Sequence, residues 1–165
     1  MRLLLAHGAN PLIPTYDHTT PLMAAAGIGW LDGLTQERSE AETLEAVKLL
    51  VALVPDVNAV NDDGRTALHG AAHKGVNAVV QLLVDAGARL DIRDNGSYDA
   101  SERLTPLDWA GGVRVTTNSP IPHPETAALL RQLMRTAGIP TDTSSECAKT
   151  GFSCAGRNPK LPSQQ

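Results

Sequence analysis

The chain has 165 residues, of which 42% are hydrophobic and only 3% aromatic, and its formal net charge is −4. Its length fits one domain or a short repeat array with a tail, and so few aromatic residues require a core built from Leu, Val and Ala. The negative charge gives no electrostatic reason to expect nucleic acid or an anionic membrane as partner. The longest apolar run is shorter than the ~18 residues that a membrane-spanning helix needs.

A block that begins with threonine occurs three times along the chain. Its copies start at Thr20-Pro21-Leu22, Thr66-Ala67-Leu68 and Thr105-Pro106-Leu107. Threonine accepts hydrogen bonds as a helix N-cap, proline at the first helical position already has a helical φ, and the alanines that follow allow close helix packing. Each copy therefore predicts the start of a short helix.

A second block contains paired leucines and ends in glycine. Its clearest copies run over residues 3–9 and 82–88, and weaker copies lie at Leu49-Leu50 and Leu133-Met134. The apolar spacing over residues 79–83 is helical, so each copy predicts a second helix with the leucines on its buried face. Gly8 and Gly87 fit the left-handed position that ends such a helix.

The two blocks and the polar turn between them recur as one unit. The segment from Asn61 through Thr66 and His69 to Ala88 resembles an ankyrin repeat in residue type and spacing over one full period. The resemblance implies an all-α solenoid of stacked helix-turn-helix pairs with short β-hairpin fingers, about 3.5 repeats in all. We assign the array to residues 1–141, with a partial first repeat and further repeats near 15–58, 61–94 and 95–141. Residues 142–165 are expected to form an irregular or disordered tail.

The spacing departs from the family's period of about 33 residues in three places. We expect insertions between two helices around residues 29–42, in a finger around residues 95–103, and between helices near residues 114–124. The chain also starts inside a second helix without a first helix to cover it. This start predicts either that upstream repeats precede Met1 or that the first helix is frayed.

Three patterns in the sequence are candidates for metal or redox sites. His69 and His73 lie four residues apart on a predicted helix, but no third ligand is apparent, and His69 has the position where ankyrin repeats usually carry a structural histidine. Residues 91–102 have the length of a calcium loop, but Arg93 replaces an oxygen ligand, which favours an acidic hairpin insertion. We therefore expect no metal and no cofactor. Cys147 and Cys154 lie in the tail, either as a local disulfide or as two free thiols.

The redox state of the cysteines bears on where the protein resides. No targeting signal is apparent, so the cytoplasm is the default location, whereas a disulfide between Cys147 and Cys154 would imply an oxidising compartment. Residues 1–6 are too short an apolar stretch for a secretory signal. The location stays undetermined by the sequence.

The resemblance implies a protein-interaction module that binds a partner protein in a concave groove, without catalysis, as a monomer. No nucleophile motif or phosphate-binding loop is found in the sequence. The alternative is a structural or regulatory portion of a longer chain that packs against its own upstream domain. Trp109 has two candidate roles, packing beside the last insertion or anchoring the partner. The family's variable groove-facing positions fall on Tyr16, Asp17, Thr19, Asp62, Asp63, Arg65, His73, Lys74 and Trp109.

Overall fold

The computed structural model describes residues 2–31, 39–96, 103–113 and 121–141. Its helices occur in pairs of a short first helix and a longer second helix, after one helix that stands alone at the start. The order is α1 (Arg2–Ala6), α2 (Pro21–Ala26), α3 (Glu40–Val51), α4 (Ala67–Lys74), α5 (Asn77–Asp85), α6 (Pro106–Ala110) and α7 (Pro124–Thr136).

The helices pack in two rows. The first helices α2, α4 and α6 form one row, the second helices α3, α5 and α7 form the other, and each first helix packs on the second helix of its own pair. One continuous core runs between the rows, with Leu22, Leu50, Leu68, Leu83 and Leu130 almost fully buried. The structure thus confirms the all-α solenoid, because every helix pair buries its apolar face against its neighbours.

The predicted helix ends are confirmed. The hydroxyls of Thr20 and Thr105 accept hydrogen bonds from the N–H groups of Met23 and Asp108, and a proline opens each of these two helices. At the end of α5, Gly87 has a φ of 92°, a value that residues with a Cβ adopt only with strain.

Adjacent first helices approach so closely that one contact requires glycine. A Cβ on Gly70 in α4 would lie 2.6 Å from the backbone nitrogen of Ile28, and a Cβ on Gly27 would lie 2.6 Å from the carbonyl oxygen of Gly70. The end of α2 therefore rests directly on the backbone of α4. Two glycines that face each other set the distance between neighbouring repeats.

The fingers are hydrogen-bonded turns. The N–H of Thr15 donates to the carbonyl of Thr19, and Asn61 and Asp94 donate in the same way to Arg65 and Leu104. The described residues contain no strand, so the first two fingers are short turns closed by these bonds and not strand pairs.

The first predicted insertion falls between α2 and α3, with a shifted boundary. Helix α3 begins at Glu40 behind the N-cap Ser39, so the first insertion ends two or three residues before the expected position at residue 42. The insertions at 95–103 and 114–124 lie largely outside the described residues. Among the described helices, none is long and apolar enough to cross a membrane.

Candidate functional site

The finger turns form a continuous row, because each one is hydrogen-bonded to the next. The N–H of Asp62 donates to the carbonyl of Asp17 at 3.0 Å, and the N–H of Asn95 donates to the carbonyl of Asp63 at 2.7 Å. The side-chain amide of Asn95 adds a second bond to the carbonyl of Asp62. Backbone bonds of this kind fix the spacing of the turns, so we call Thr15–Thr19, Asn61–Arg65 and residues 94–95 the finger row.

Several predicted binding residues on the finger row face solvent. Tyr16 is 97% exposed, and the side chains of Asp62 and Asp63 are 60% and 53% exposed. Nδ1 of the neighbouring His18 lies 2.7 Å from a carboxylate oxygen of Asp62. These side chains form a polar surface with one large aromatic ring at its first turn.

Asp17 and Thr19 instead stabilise the first turn. The hydroxyls of Thr15 and Thr19 donate to the Asp17 carboxylate, and these hydrogen bonds, the one from Thr15 first, lower the pKa of Asp17. Thr19 is buried, and its hydroxyl also accepts a bond from the side-chain amide of Asn61 at 3.0 Å. Its oxygen is therefore engaged within the protein, and Thr19 links the first two fingers.

His69 acts as a structural link between two repeats, which confirms the structural role expected for it. Its Nδ1 accepts the N–H of Thr66 at 3.0 Å, and its Nε2 lies 3.1 Å from the carbonyl of Leu104 in the next finger. This pattern requires the neutral ring with its proton on Nε2. Burial is the main reason that the pKa of His69 falls to about 4, which keeps the ring neutral at ordinary pH.

The residues equivalent to His69 in the other two repeats are of different types, but each contacts the threonine at the start of its helix. In the last repeat, one carboxylate oxygen of Asp108 accepts both the N–H and the hydroxyl of Thr105 at 2.9 Å and 2.7 Å. In the first, the sulfur of Met23 lies 3.4 Å from the nitrogen of Thr20. The alignment of Asp108 with His69 is therefore supported by geometry, even though the residue types differ.

Trp109 lies in the core and not on an exposed surface. It is 2% exposed, and its indole N–H donates to the Asp94 carboxylate at 2.9 Å. The guanidinium of Arg65 lies 5.0 Å from the centre of one face of the indole, and the rings of His69 and His73 meet it edge-on. These contacts support the packing role, since a partner would have to displace the indole from the core to use it as an anchor.

His73 lies at the centre of a cluster of aromatic and basic side chains. Its ring is 5.6 Å from that of Trp30 and 5.4 Å from that of Trp109, both edge-on. Burial first, then the nearby charges of His123 and Arg65, lower its pKa to about 4. His73 is itself only 7% exposed, so it lies beneath the predicted surface. Lys74, the last residue of α4, is half-buried, and its amine donates to Thr43.

Three residues at this site were missed by the sequence reasoning. Trp30 follows α2, His123 precedes α7, and both belong to connections whose length is unique to their repeat, so no repeat position identified them. Asp94 is fully buried and accepts bonds from the N–H groups of Gly96 and Leu104 as well as from Trp109. The only sequence signal for Asp94 was its place at the start of a turn, opposite Asn61 of the preceding finger.

Comparison with known proteins agrees with this architecture. Residues 38–113 match the family model described as ankyrin repeats in three copies. The chain contains ankyrin repeats. It is also 32% identical over 113 residues to an ankyrin repeat protein of Fowlpox virus (strain NVSL), an alignment that covers 58% of this chain and 26% of the relative. The chain thus matches about a quarter of the length of that viral protein.

The family relation gives a general role. Ankyrin repeats are generally protein-interaction modules, and proteins of this family are generally non-enzymatic scaffolds. Within the described part of this ankyrin array, no three His, Cys, Asp or Glu residues are grouped as a metal site would require. Asp91 pairs with Arg89, which lowers the pKa of that aspartate, and residues 97–102 of the segment considered as a calcium loop lie outside the described residues. Cys147 and Cys154 lie outside the described residues.

Proposed function

We propose that this ankyrin array binds a partner protein through its finger row and the adjoining ends of its first helices. The observation that carries the proposal is the hydrogen-bonded linkage of successive fingers, which holds exposed side chains at fixed spacing before any partner arrives. A preorganised surface loses little conformational entropy on binding, so its contacts contribute more fully to affinity.

The residues of the proposed surface divide by burial into two groups. Tyr16, Asp62, Asp63 and the partly exposed Lys74 are available for direct contact, and tyrosine is among the residues that most often carry interface energy. The remaining predicted residues support this surface from beneath or from the side. They are Asp17, Thr19, Arg65, His73 and Trp109.

Site-specific photo-crosslinking tests the position of the surface. A benzophenone amino acid is placed at Tyr16, where the native ring is almost fully exposed, and a matched probe is placed at Gln132 on the exposed side of α7. In an extract of the source organism, we expect one discrete adduct from position 16 and none from position 132. Adducts from position 132 alone would place the binding surface on the second-helix row and contradict the proposal.

Charge reversal then tests the fingers with the captured protein in purified form. Asp62→Lys combined with Asp63→Lys should weaken binding at least about tenfold, because each charge contributes to the exposed polar surface. Asp85→Lys is the control, since Asp85 is an exposed aspartate on α5 that likewise accepts one side-chain bond. Equal losses in both proteins would indicate a general charge effect and not a finger contact.

A second proposal is that the array packs against another part of a longer chain. The observation that favours it is a group of exposed apolar side chains in and after α1: Leu3 is 71% exposed, Leu4 is 62% and Ile13 is 65%. In the later repeats, the corresponding residues Leu50 and Leu83 are fully buried. A version of the protein that includes the upstream coding sequence should shield these side chains from labelling. Unchanged labelling of Leu3, Leu4 and Ile13 would refute this second proposal.

A further inference from the structure

Buried side-chain nitrogens without hydrogen-bond partners are concentrated at one place in the protein. Among the described residues these atoms are Trp30 Nε1, Arg65 Nε, His73 Nδ1 and His123 Nε2. The rings of Trp30 and His73 are 5.6 Å apart, Arg65 lies 5.0 Å from the indole of Trp109, and that indole is 5.4 Å from His73. His123 adjoins the same helix end, where its ring would contact a Cβ placed on the residue after Lys74. We call these four residues the donor cluster.

Such a concentration is unusual, because a buried polar group left without a partner costs about 1–3 kcal/mol. Elsewhere in the described protein, buried polar side chains are paired. Asp94, for example, accepts bonds from two backbone N–H groups and from Trp109. No group of the described protein pairs with these four nitrogens.

The chemistry of the donor cluster indicates which kind of ligand it fits. The indole of Trp30 and the Nε–H of Arg65 can only donate, and His123 donates from Nε2 in one of its neutral tautomers. The carboxylates nearby are already engaged, since Asp63 pairs with another nitrogen of Arg65 at 3.2 Å and Asp94 accepts three bonds, from Gly96, Leu104 and Trp109. Three donors, one of which belongs to a guanidinium, suit a negatively charged oxygen group.

The charge of Arg65 has the sign that an anion-binding site requires. The guanidinium of Arg65 is a permanent positive charge beside the ring of His73, and after burial and His123 it contributes to the lowered pKa of His73. A positive potential that resists protonation of His73 attracts an anion by the same interaction. His73 Nδ1 can meanwhile accept a bond from the O–H of a hydrogen phosphate, since its ring bonds the backbone of Trp30 through the other nitrogen.

We propose that the donor cluster of Trp30, Arg65, His73 and His123 is a binding site for an oxyanion. The ligand is either a free inorganic ion such as phosphate or a carboxylate from an acidic side chain of a bound peptide. The site does not depend on the proposed use of the finger row, because an inorganic ion would fill it without a partner protein. Bidentate or charge-assisted bonds from Arg65 contribute the largest share of the affinity.

The chain has two tryptophans, and both adjoin the site, which supplies an internal control. The indole N–H of Trp30 is unpaired, whereas that of Trp109 already bonds Asp94. In ¹H–¹⁵N NMR spectra of the whole chain at constant ionic strength, titration with inorganic phosphate should shift the Trp30 indole signal saturably. The Trp109 indole signal should shift much less. A tetraglutamate peptide is titrated in parallel as the source of carboxylates.

A matched pair of variants tests the role of Arg65. Arg65→Met removes the guanidinium that pairs with Asp63, and the control Arg89→Met removes a guanidinium that pairs with Asp91 on the exposed surface. We expect Arg65→Met to weaken binding at least about tenfold and Arg89→Met to leave it unchanged. If Arg65→Met does not fold, His123→Phe keeps a ring in place while it removes Nε2, and it should also weaken binding.

The possible outcomes distinguish the two sources of the oxyanion from each other and from a failure of the proposal. Saturation by phosphate assigns the site to a free ion, and saturation by the peptide alone assigns it to a carboxylate of a partner. If neither probe shifts the Trp30 indole signal saturably in the low millimolar range, the proposal is overturned, and the donors would bond only water. A shift that persists unchanged in both Arg65→Met and His123→Phe would overturn it as well.

Discussion

Replacement of Trp109 by alanine tests whether this residue packs the core or anchors a partner. The indole is 2% exposed and contacts Arg65, His69 and His73, so its removal leaves a large cavity between two repeats. Loss of a buried aromatic side chain of this kind costs about 3–5 kcal/mol of the free energy of unfolding. Part of that cost arises because the buried carboxylate of Asp94 loses the indole N–H that it accepts at 2.9 Å.

The assay is urea unfolding followed by far-UV circular dichroism, which needs no partner. Trp109→Phe separates the two contributions, since it retains an aromatic ring but removes the donor to Asp94, and it should cost about 1.5–3 kcal/mol, as expected for a bond to a charged group. Tyr16→Ala is the surface control and should stay within about 0.5 kcal/mol of the native protein. A loss below about 1 kcal/mol for Trp109→Ala would refute the packing role and restore the anchor hypothesis.

Three further predictions concern pH, helix contact and the tail. Folding lowers the pKa of His69 and His73 from 6.5 to about 4. Between pH 6.5 and 4 only the unfolded chain binds these protons, so the free energy of unfolding is highest above about pH 6.5 and falls as the pH is lowered toward 4. For His69 the loss is on the order of 3 kcal/mol, and urea unfolding at pH 7.5 and 4.5 should show it, with a flatter profile in His69→Gln. Gly70→Ala should destabilise the protein in thermal unfolding although alanine is the better helix former, because its Cβ would meet the backbone of Gly27 and Ile28 just after α2. A rise in melting temperature would contradict that close contact. Intact-mass measurement after thiol alkylation decides between the two states left open for Cys147 and Cys154: a disulfide leaves both unmodified, and two alkylated thiols would exclude it.

The sequence predicted the helix pairs because their signals are local. Thr20 and Thr105 act as N-caps and Gly87 ends a helix at positive φ, as expected from residue type alone. The structural role of His69 also followed from its repeat position. Each of these features depends on a few neighbouring residues, so one copy of the pattern in the sequence is enough to identify it.

The sequence could not predict which groove-facing residues are exposed. Asp62 and Trp109 both fall on variable positions of the family, yet Asp62 faces solvent while Trp109 is buried. Trp109 is buried because Arg65, His69 and His73 of the preceding repeat pack against its indole, whose N–H bonds Asp94. These contacts form between repeats, and the periodic pattern does not predict them.

The sequence by itself thus determined the repeat, its caps and its all-helical class, since these are properties of short segments. Only the tertiary structure decided that Asp94 binds Trp109 and that the unpaired nitrogens of Trp30, Arg65 and His123 lie around one histidine. Those residues are distant in sequence and belong to different repeats. Their burial and their hydrogen bonds depend on how neighbouring repeats stack, and stacking is a contact between segments that no single segment encodes.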